Sequence, residues 1–416
     1  MNGETPATVA KDPEEAPETR GFVSAAIHRS LDNVRAGDVG SWPIIIGLIV
    51  ISAFFYYKNS NFLSGGNLNN IITQMAGTAT IASGLFFVLL LGEIDLAAGF
   101  VSGIGGVVVG ELTLVGSSHA YSGLVAIPIA LLAGALYGLI QGLFVAYVGV
   151  PSFVVTLAGM LAAEGLIWHF LLNQGVIAIQ DKWVNDVAGY FFSHQAGWIA
   201  AIIVSALYAL AVLSGRIKRH RAGAETGSLW SALIKIAAVA VLILVLVDWT
   251  NHDSARGLPL AFVFLLLLYS FWNFISMRTT FGRHVYAVGG NAEAARRAGI
   301  NVPRIKLIVF VISGVMSALG GVVLASRLQN VDLSAGSGTL LFDAIAGVVI
   351  GGTSLFGGRG RVTGVVVGVL LIMSIDNGLD TVGYSQGVKY IVTGLVLVAA
   401  VTLDTVMRKR QEKLGR

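Results

Sequence analysis

Cysteine is absent from the 416 residues of this chain, and charged residues make up only 12% of them. The absence of cysteine excludes disulfides, thiolate nucleophiles and zinc–thiolate sites. The low charge excludes an ordinary soluble domain, because such domains carry about 25% charged residues. With 55% hydrophobic residues and a mean hydropathy of +0.78, the composition is instead typical of a protein embedded in a lipid bilayer.

The sequence also lacks the motif of a nucleotide-binding enzyme. It contains no Gly-Lys pair, so a GxxxxGK[ST] phosphate-binding loop is excluded. The seven histidines are scattered along the chain rather than set at the spacing of metal ligands. We therefore predict that the chain is not an enzyme and that it has no catalytic residue, no metal and no cofactor of its own.

Long apolar runs dominate what is present, and a transmembrane helix requires about 20 such residues. The candidate segments are 42–57, 71–91, 97–115, 122–147, 152–172, 197–214, 230–248, 258–277, 305–326, 341–356, 361–379 and 387–403. The segment at 341–356 is short and rich in glycine, so a crossing and a re-entrant helix both stay open. The pattern predicts an all-α, polytopic membrane bundle of about 10–12 transmembrane helices.

Lysine and arginine concentrate in a loop at 216–221, in a second segment at 278–306 and at the C-terminus. Cytoplasmic loops are enriched in these residues, so both termini are predicted to be cytoplasmic. Residues 1–40 are predicted to form a cytoplasmic tail with a short amphipathic helix. Residues 41–405 form the transmembrane domain, and 406–416 a basic cytoplasmic tail. The cations behind the net charge of +4 thus lie where membrane topology places them. We therefore predict contact with lipid and not with nucleic acid.

Glycine is abundant, with 52 residues, and part of it is regularly spaced. Two ladders repeat every four residues, at Gly134, Gly138 and Gly142 and at Gly360, Gly364 and Gly368. Small residues at this spacing allow helix backbones to approach closely in lipid. The ladders therefore predict tightly packed helix pairs.

An internal repeat is the second regularity, because residues 89–110 resemble residues 348–368. In this match Gly99 pairs with Gly358 and Leu96 pairs with Leu355. Many transporters are built from two repeated halves with the substrate path between them. The repeat therefore predicts pseudo-repeated halves in the bundle.

The segment TTFGRHVYAVGGNAEAARRAGINVPR, at 279–304, is too polar to cross a bilayer. An asparagine and a glutamate precede two arginines and a glycine, in the order that helix caps and the helix dipole favour. This order predicts a helix of about two turns over 292–298. A helix of this length is not stable alone in water, so it packs either on its own bundle or on a partner.

Four motifs, in the order in which they occur, resemble signatures of a known family. They are GEIDLAAG (92–99), PSFVVTLAGM (151–160), VGGNAEAARRAGINV (288–302) and DAIAGVVIGGTSLFGG (343–358). The chain resembles, from about residue 42 to about 404, the permease subunits of bacterial ABC sugar importers of the ribose and xylose type. The extra stretch at 198–247 is similar to that of xylose permeases. Ala97, Ala98 and Phe356 depart from the usual residues of the family.

The resemblance implies a type II ABC importer-like permease in a bacterial inner membrane, translocating a monosaccharide, with a pentose such as xylose expected. It also implies a permease homodimer, cytoplasmic ATPase subunits that bind ATP, and a periplasmic sugar-binding protein. In this family the segment at 278–304 is the coupling loop that contacts the ATPase. The residues matching that contact are Asn291, Glu293, Ala294, Arg296, Arg297 and Gly299.

Polar residues inside or between the apolar segments are candidates for the translocation path. They are Glu93, Asp95, Gln141, Asp376, Asn377 and Gln386. Sugars are neutral, so side-chain hydrogen bonds and aromatic faces suffice to hold them. Each residue also has a structural interpretation as a hydrogen bond between helices. Asp95 in particular precedes an apolar helix as an N-cap does, and so does its repeat partner Ser354.

Two other classes of function stay open on the sequence. An ion-coupled secondary transporter with inverted repeats would use Glu93, Asp95 or Glu164 as a proton carrier. A passive pore, or a membrane scaffold for other subunits, would need no coupling helix.

Overall fold

The computed structural model describes residues 42–116, 120–221, 223, 228–252 and 256–413. The tail predicted for 1–40, with its short amphipathic helix, lies outside these described residues. At the other end, the helical backbone is described as far as Lys413.

The first half of the chain contains seven helices. They are α1 (Trp42–Lys58), α2 (Gly65–Leu90), α3 (Ala98–Leu112), α4 (Gly123–Leu143), α5 (Ser152–Leu171), α6 (Lys182–Gly189) and α7 (His194–Arg221). A 3-10 turn at Ser60–Leu63 precedes α2, and a π-helical turn at Phe144–Val148 extends α4.

Eight helices follow in the second half. They are α8 (Leu229–His252), α9 (Leu260–Arg278), α10 (Thr280–Gly290), α11 (Ala292–Arg297), α12 (Val302–Leu328), α13 (Leu340–Ile350), α14 (Val362–Val382) and α15 (Gln386–Lys413).

The prediction of an all-α, polytopic membrane bundle is confirmed. Nine helices within the described residues are long and apolar enough to cross a bilayer, and α1, α3 and α13 are apolar but shorter. Each predicted segment therefore contains a helix. With 11 residues, α13 rises about 16 Å, roughly half of the 30 Å hydrocarbon core. It is too short to cross alone, but Gly336 lies against Gly99 and Gly351 lies against Gly364. The non-helical residues before α13 and α13 itself therefore lead together from the end of α12 to the start of α14, which favours the crossing alternative for 341–356.

Helix α12 lies at the centre of the bundle and packs against α2, α3 and α4. The first glycine ladder forms one of these contacts, since Gly134 and Gly138 lie against the backbone of Gly314 and Phe310. A side chain at either ladder position would overlap a carbonyl oxygen of α12. The prediction that this ladder packs helices closely is therefore confirmed.

The second ladder joins the short helix α13 to α14. Gly364 lies against the carbonyl oxygen of Gly351, and Gly368 against that of Gly347. These contacts run along the first turns of α14, so α13 is held beside the half of α14 that is nearer to α11.

The long loop after α5 contains regular structure that the sequence did not reveal. Strand β1 (Val176–Ala178) pairs antiparallel with β2 (Asn330–Asp332), which follows α12. Helix α6 begins beside this pair of strands, with Asp181 accepting a hydrogen bond from the backbone of Val184 at 3.0 Å. Together they cap the end of the bundle opposite α11, called here the opposite end.

Helices α7 and α8 pack mainly on each other at the edge of the bundle. Their shared core is small and consists of Ala201, Val247 and Leu258 with a few half-buried neighbours. They correspond to the extra stretch at 198–247, which is thus an added helical hairpin rather than part of the central packing.

Candidate functional site

Helix α11 projects from one end of the bundle, called here the α11 end. The predicted helix is confirmed, with Ala298 following its last residue as C-cap. Asn291 is its N-cap, and its side chain accepts a hydrogen bond from the backbone of Ala294 at 2.9 Å. Ala295 is buried, whereas Glu293 and Ala294 are exposed. The helix thus rests on Ala295 and the half-buried Ala292 and presents its other side chains outward.

The charged residues of α11 pair with one another. Glu293 accepts hydrogen bonds from Arg296 at 3.3 Å and from Arg297 at 3.2 Å. All three side chains are more than half exposed, so each pair stabilises the helix by only about 0.3–0.5 kcal/mol. Gly299 follows with a φ of +84° and open space around it. This surface is therefore available to a partner.

Helix α10, which leads into α11, is packed backbone to backbone against the bundle. A side chain at Gly289 would overlap the carbonyl oxygen of Leu90, the last residue of α2. The same oxygen accepts a hydrogen bond from Gly358 N at 2.8 Å. Three segments therefore meet at this junction: the end of α10, the end of α2 and the break before α14.

Each copy of the predicted repeat contains a non-helical segment between two helices, called here a break. The first break is 91–97 and the second is 351–361. Asp95 accepts a hydrogen bond from the backbone N–H of Ala97 at 3.0 Å, and Ser354 accepts one from Phe356 at 3.3 Å. Both copies thus make the same two-residue turn. Both side chains are buried within the packed chain.

The match between the two copies fails a few residues later. Gly99 lies in the first turn of α3, whereas its partner Gly358 is still in the break, with a φ of +75°. The second break is longer than the first, so the paired glycines take different conformations.

Glu93 and Asp95 tie the first break to α12. Glu93 forms a half-buried ion pair with Lys306, which lies in the first turns of α12. Asp95 accepts a short hydrogen bond of 2.6 Å from Ser313, two turns further along. Because α12 directly follows α11, these contacts link the exposed helix to the first break of the bundle.

Asp376 and Asn377 belong to a polar cluster at the opposite end, between α2, α14 and α15. Gln74 donates a hydrogen bond to Asp376 at 2.7 Å, and Asn67 donates one to Asn377 at 2.8 Å. Lys389 of α15 lies 3.3 Å from the same Asp376 carboxylate. This lysine also pairs with Asp380 at 2.5 Å.

The chain matches a protein family described as "Branched-chain amino acid transport system / permease component" over residues 67–401. The chain belongs to this family. The permease is 36% identical to the xylose transport system permease protein XylH of Escherichia coli (strain K12), over 88% of this chain and 92% of that protein. No solved structure matches it.

Two further relatives carry other sugars in their names. The permease is 32% identical to the ribose import permease protein RbsC of Haemophilus influenzae, over 86% of this chain and 91% of that protein. It is 29% identical to the D-allose transport system permease protein AlsC of Escherichia coli (strain K12), over 87% and 90% of the two chains. These matches, like the helices, make the permease a multi-pass membrane protein.

The structure does not gather the six candidate path residues of the permease into one channel. Glu93 and Asp95 lie at the α11 end, whereas Asp376 and Asn377 lie at the opposite end. Gln386 is exposed at the start of α15.

Gln141 is buried between α4 and α5, with its side-chain amide close to Gly159. Its Nε2 has no hydrogen-bond partner among the described residues. Glu164, the acid considered for proton coupling, is half-buried on α5. Ala97 and Ala98 are fully buried between helices, while Phe356 is exposed. Of these departures from the family, only Phe356 therefore presents its side chain to the outside.

Several partners were missed by sequence reasoning. Lys306 was taken as a topology signal, although it pairs with Glu93 from a distant segment. Lys389, which pairs with Asp376, was not considered. Residues 383–387 read GYSQG, the spacing of a hydrolase nucleophile elbow. That elbow joins a strand to a helix, and here the segment joins two helices, so it carries no such chemistry.

Proposed function

We propose that this permease is the membrane-spanning subunit of an ATP-driven importer for a monosaccharide, with a pentose such as D-xylose as the first candidate. The xylose, ribose and allose permeases among its relatives support the sugar class, and the higher identity to the xylose protein supports the pentose. Branched-chain amino acids are the competing cargo, because the family description names them.

The observation that carries this proposal is the exposed, capped helix α11 on a rigid base. A helix of six residues with one buried side chain has no role in stabilising the bundle. Its four exposed residues form a surface that an ATPase subunit can contact. The residues proposed for this contact are Asn291, Glu293, Ala294, Arg296, Arg297 and Gly299.

The distribution of cations supports an orientation in which the α11 end is cytoplasmic. Arg278, Arg283, Arg304 and Lys306 flank α11, and the C-terminal end of α7 carries a second basic group. Both termini are then cytoplasmic, and the opposite end faces the periplasm, where a sugar-binding protein delivers its cargo. Two copies of the permease stand beside two ATPase subunits.

The contacts of α11 suggest how its movement reaches the bundle. Helix α10 meets α2 and the second break at Gly289, where backbone touches backbone. Such contacts contain no flexible side chain, so a displacement of α10 is passed on rather than absorbed. Glu93 and Lys306 provide a second link, from the first break to α12. Closure of an ATPase dimer on ATP would thus move both breaks together.

Uptake into proteoliposomes tests the proposal. The permease is reconstituted with an ATPase subunit and a sugar-binding protein from the same organism, and uptake of radiolabelled D-xylose, D-ribose, D-allose and L-leucine is measured. We expect sugar uptake that requires ATP on the side of the membrane where the ATPase subunits lie. This uptake should persist when an uncoupler removes the proton gradient. Uptake that the uncoupler abolishes at constant ATP would instead establish the secondary transporter. Uptake by the permease alone, without ATP, would establish the pore.

A further inference from the structure

A cavity of about 660 Å³ opens at the opposite end of the bundle. Its walls come from the first turns of α2, the last turn of α12, the end of α6 and the segment before α9. Its volume falls within the range of about 300–1,000 Å³ that small-molecule sites occupy. None of the six candidate path residues lines it, so the cavity is distinct from the sites considered so far.

The cavity has a closed floor and an open rim. Thr73, Ala188 and Ser326 form part of its floor and are buried. Gly66 and Asn70 lie at its rim and are exposed. The space is therefore open to solvent at the end of the bundle and closed toward its middle, as expected of a site that a solute enters from one side.

The lining offers the groups that bind a neutral polyol. Asn70, Thr73 and Gln329 provide amide and hydroxyl groups, and Phe191 provides an aromatic ring. No Asp or Glu occurs among the described residues that line the cavity. Mixed donors and acceptors beside one aromatic ring match the hydroxyl groups and the apolar C–H face of a sugar.

The two arginines of the lining are already engaged with the permease itself, which argues against a simple anion site. Arg256 lies over the ring of Phe191, with its guanidinium carbon 5.7 Å from the ring centre. Arg327 donates to Asn70 at 3.4 Å and lies in the field of Asp376 and Asp380. Each guanidinium group therefore already has a partner within the chain.

The cavity leads toward the polar cluster of α2, α14 and α15. Asn70 lines the cavity, and Gln74, one turn further along the same helix, donates to Asp376. The amides of α2 therefore form a continuous polar edge from the rim to the cluster. Without such an edge a sugar leaving the cavity would lose its hydrogen bonds, at a cost of about 1–3 kcal/mol for each unpaired group.

We propose that this cavity is the entry site for the monosaccharide, which Asn70, Thr73 and Arg327 bind by hydrogen bonds against the ring of Phe191. The inference rests on the proposed function for its ligand class, and it adds a defined binding site to it.

Filling the cavity tests this inference in the reconstituted importer. Gly66 lines the cavity, and a side chain there meets no atom within 4 Å, so Gly66→Trp fills the space without displacing the backbone. Gly215 of α7 is equally open and lies outside the cavity, which makes Gly215→Trp the matched control. We expect Gly66→Trp to lower D-xylose uptake at least tenfold, with basal ATP hydrolysis unchanged. Equal uptake by the two variants would overturn the entry site.

A direct binding measurement uses the absence of cysteine, since a single introduced thiol has no background. In Gly66→Cys, at the rim of the cavity and outside the three residues proposed to bind the sugar, we expect millimolar D-xylose to slow labelling by a membrane-impermeant thiol reagent at least threefold. Tyr384→Cys, in the exposed loop between α14 and α15 at the same end, serves as the control and should not respond. Labelling of Gly66→Cys that is unaffected by the sugar would contradict the proposal even if the fold is intact.

The two experiments separate the inference from the proposed function. Absence of ATP-driven uptake by the unaltered complex would refute the importer, while protection of Gly66→Cys by D-xylose would still support a sugar site. Loss of binding-protein attachment in Gly66→Trp, without protection by the sugar, would show that the cavity receives a protein side chain instead, and it would overturn the entry site.

Discussion

Helices α12 and α8 are almost equally apolar, with mean hydropathies of 2.5 and 2.6, yet their surroundings differ. In α12, 61% of the most apolar stretch is buried inside the chain, against 11% in α8. Hydrophobicity does not explain this difference, because lipid is as apolar as a protein interior. The glycine content explains the difference in burial, because α12 contains Gly314, Gly320 and Gly321, whereas α8 has no glycine.

The comparison shows that small residues determine which helices form the centre of this bundle. Each glycine of α12 lies within van der Waals distance of another backbone, such as that of Gly134 or Ser102. Close approach of backbones maximises dispersion contacts, which drive helix association in lipid. Helix α8, with its large side chains, packs mainly on α7 and leaves Leu242 and Val245 exposed to the bilayer.

The largest effect is expected from Gly138→Leu, which attacks the α4–α12 contact. Because the new side chain would overlap the carbonyl oxygen of Phe310, the helices must separate. We expect the free energy of unfolding to fall by about 3 kcal/mol or more, seen as a lower midpoint of thermal unfolding in detergent. Gly215→Leu in α7 is the control, since its site is open. Equal midpoints for the two variants would show that the ladder is not a packing contact.

A smaller but more specific effect is expected at the junction of α10 with the breaks. Gly289→Ala places a methyl group against the carbonyl oxygen of Leu90, at an expected cost of about 1–3 kcal/mol. Gly290→Ala, one residue later, meets no atom within 4 Å. If this junction transmits movement, Gly289→Ala should also reduce uptake per ATP hydrolysed, while Gly290→Ala should not. Identical uptake ratios would remove the junction from the coupling path.

The ion pair between Glu93 and Lys306 should contribute less. Glu93→Gln keeps the size of the side chain and removes its charge, which leaves a half-buried lysine without its partner. We expect a loss of about 1–2 kcal/mol, measured by the same thermal unfolding. A Lys306→Met variant in the Glu93→Gln background should regain part of this stability. Additive losses in the double variant would mean that the two residues do not interact.

A charge exchange in the exposed helix α11 should have the smallest effect on stability. It should have the largest effect on the coupling of ATP hydrolysis to uptake. Exchanging the charges in Glu293→Arg/Arg296→Glu keeps an ion pair within α11. Exposed pairs contribute little, so we expect a change below about 0.5 kcal/mol. ATP-driven uptake should nevertheless be lost, because a partner would meet reversed charges. Charge reversal of Lys218, at the end of α7, is the control. Unchanged uptake in the exchanged variant would count against docking on α11.

Sequence reasoning succeeded where the signal is local. The caps of α11 depend on side chains within a few residues of one another, as Asn291 and Ala294 illustrate. The match of Asp95 with Ser354 is equally local and could be predicted. Their interpretation as N-caps is wrong, because Ala97 and Arg361 precede the two helices and neither helix has a side-chain cap. The path residues could not be placed, because their neighbours are distant in sequence. Asp376, for example, meets Gln74 from a helix about 300 residues away.

By itself, the sequence determined that the chain lies in a membrane, which segments form helices, and that a short capped helix stands at one end. These properties follow from composition, helical spacing and neighbouring side chains. Only the tertiary structure decided which helices are central, how non-helical residues complete the crossing of α13, and that a cavity opens at the opposite end. Each of these depends on contacts between residues far apart in the chain. Patterns in the sequence do not give the distances between such residues in space.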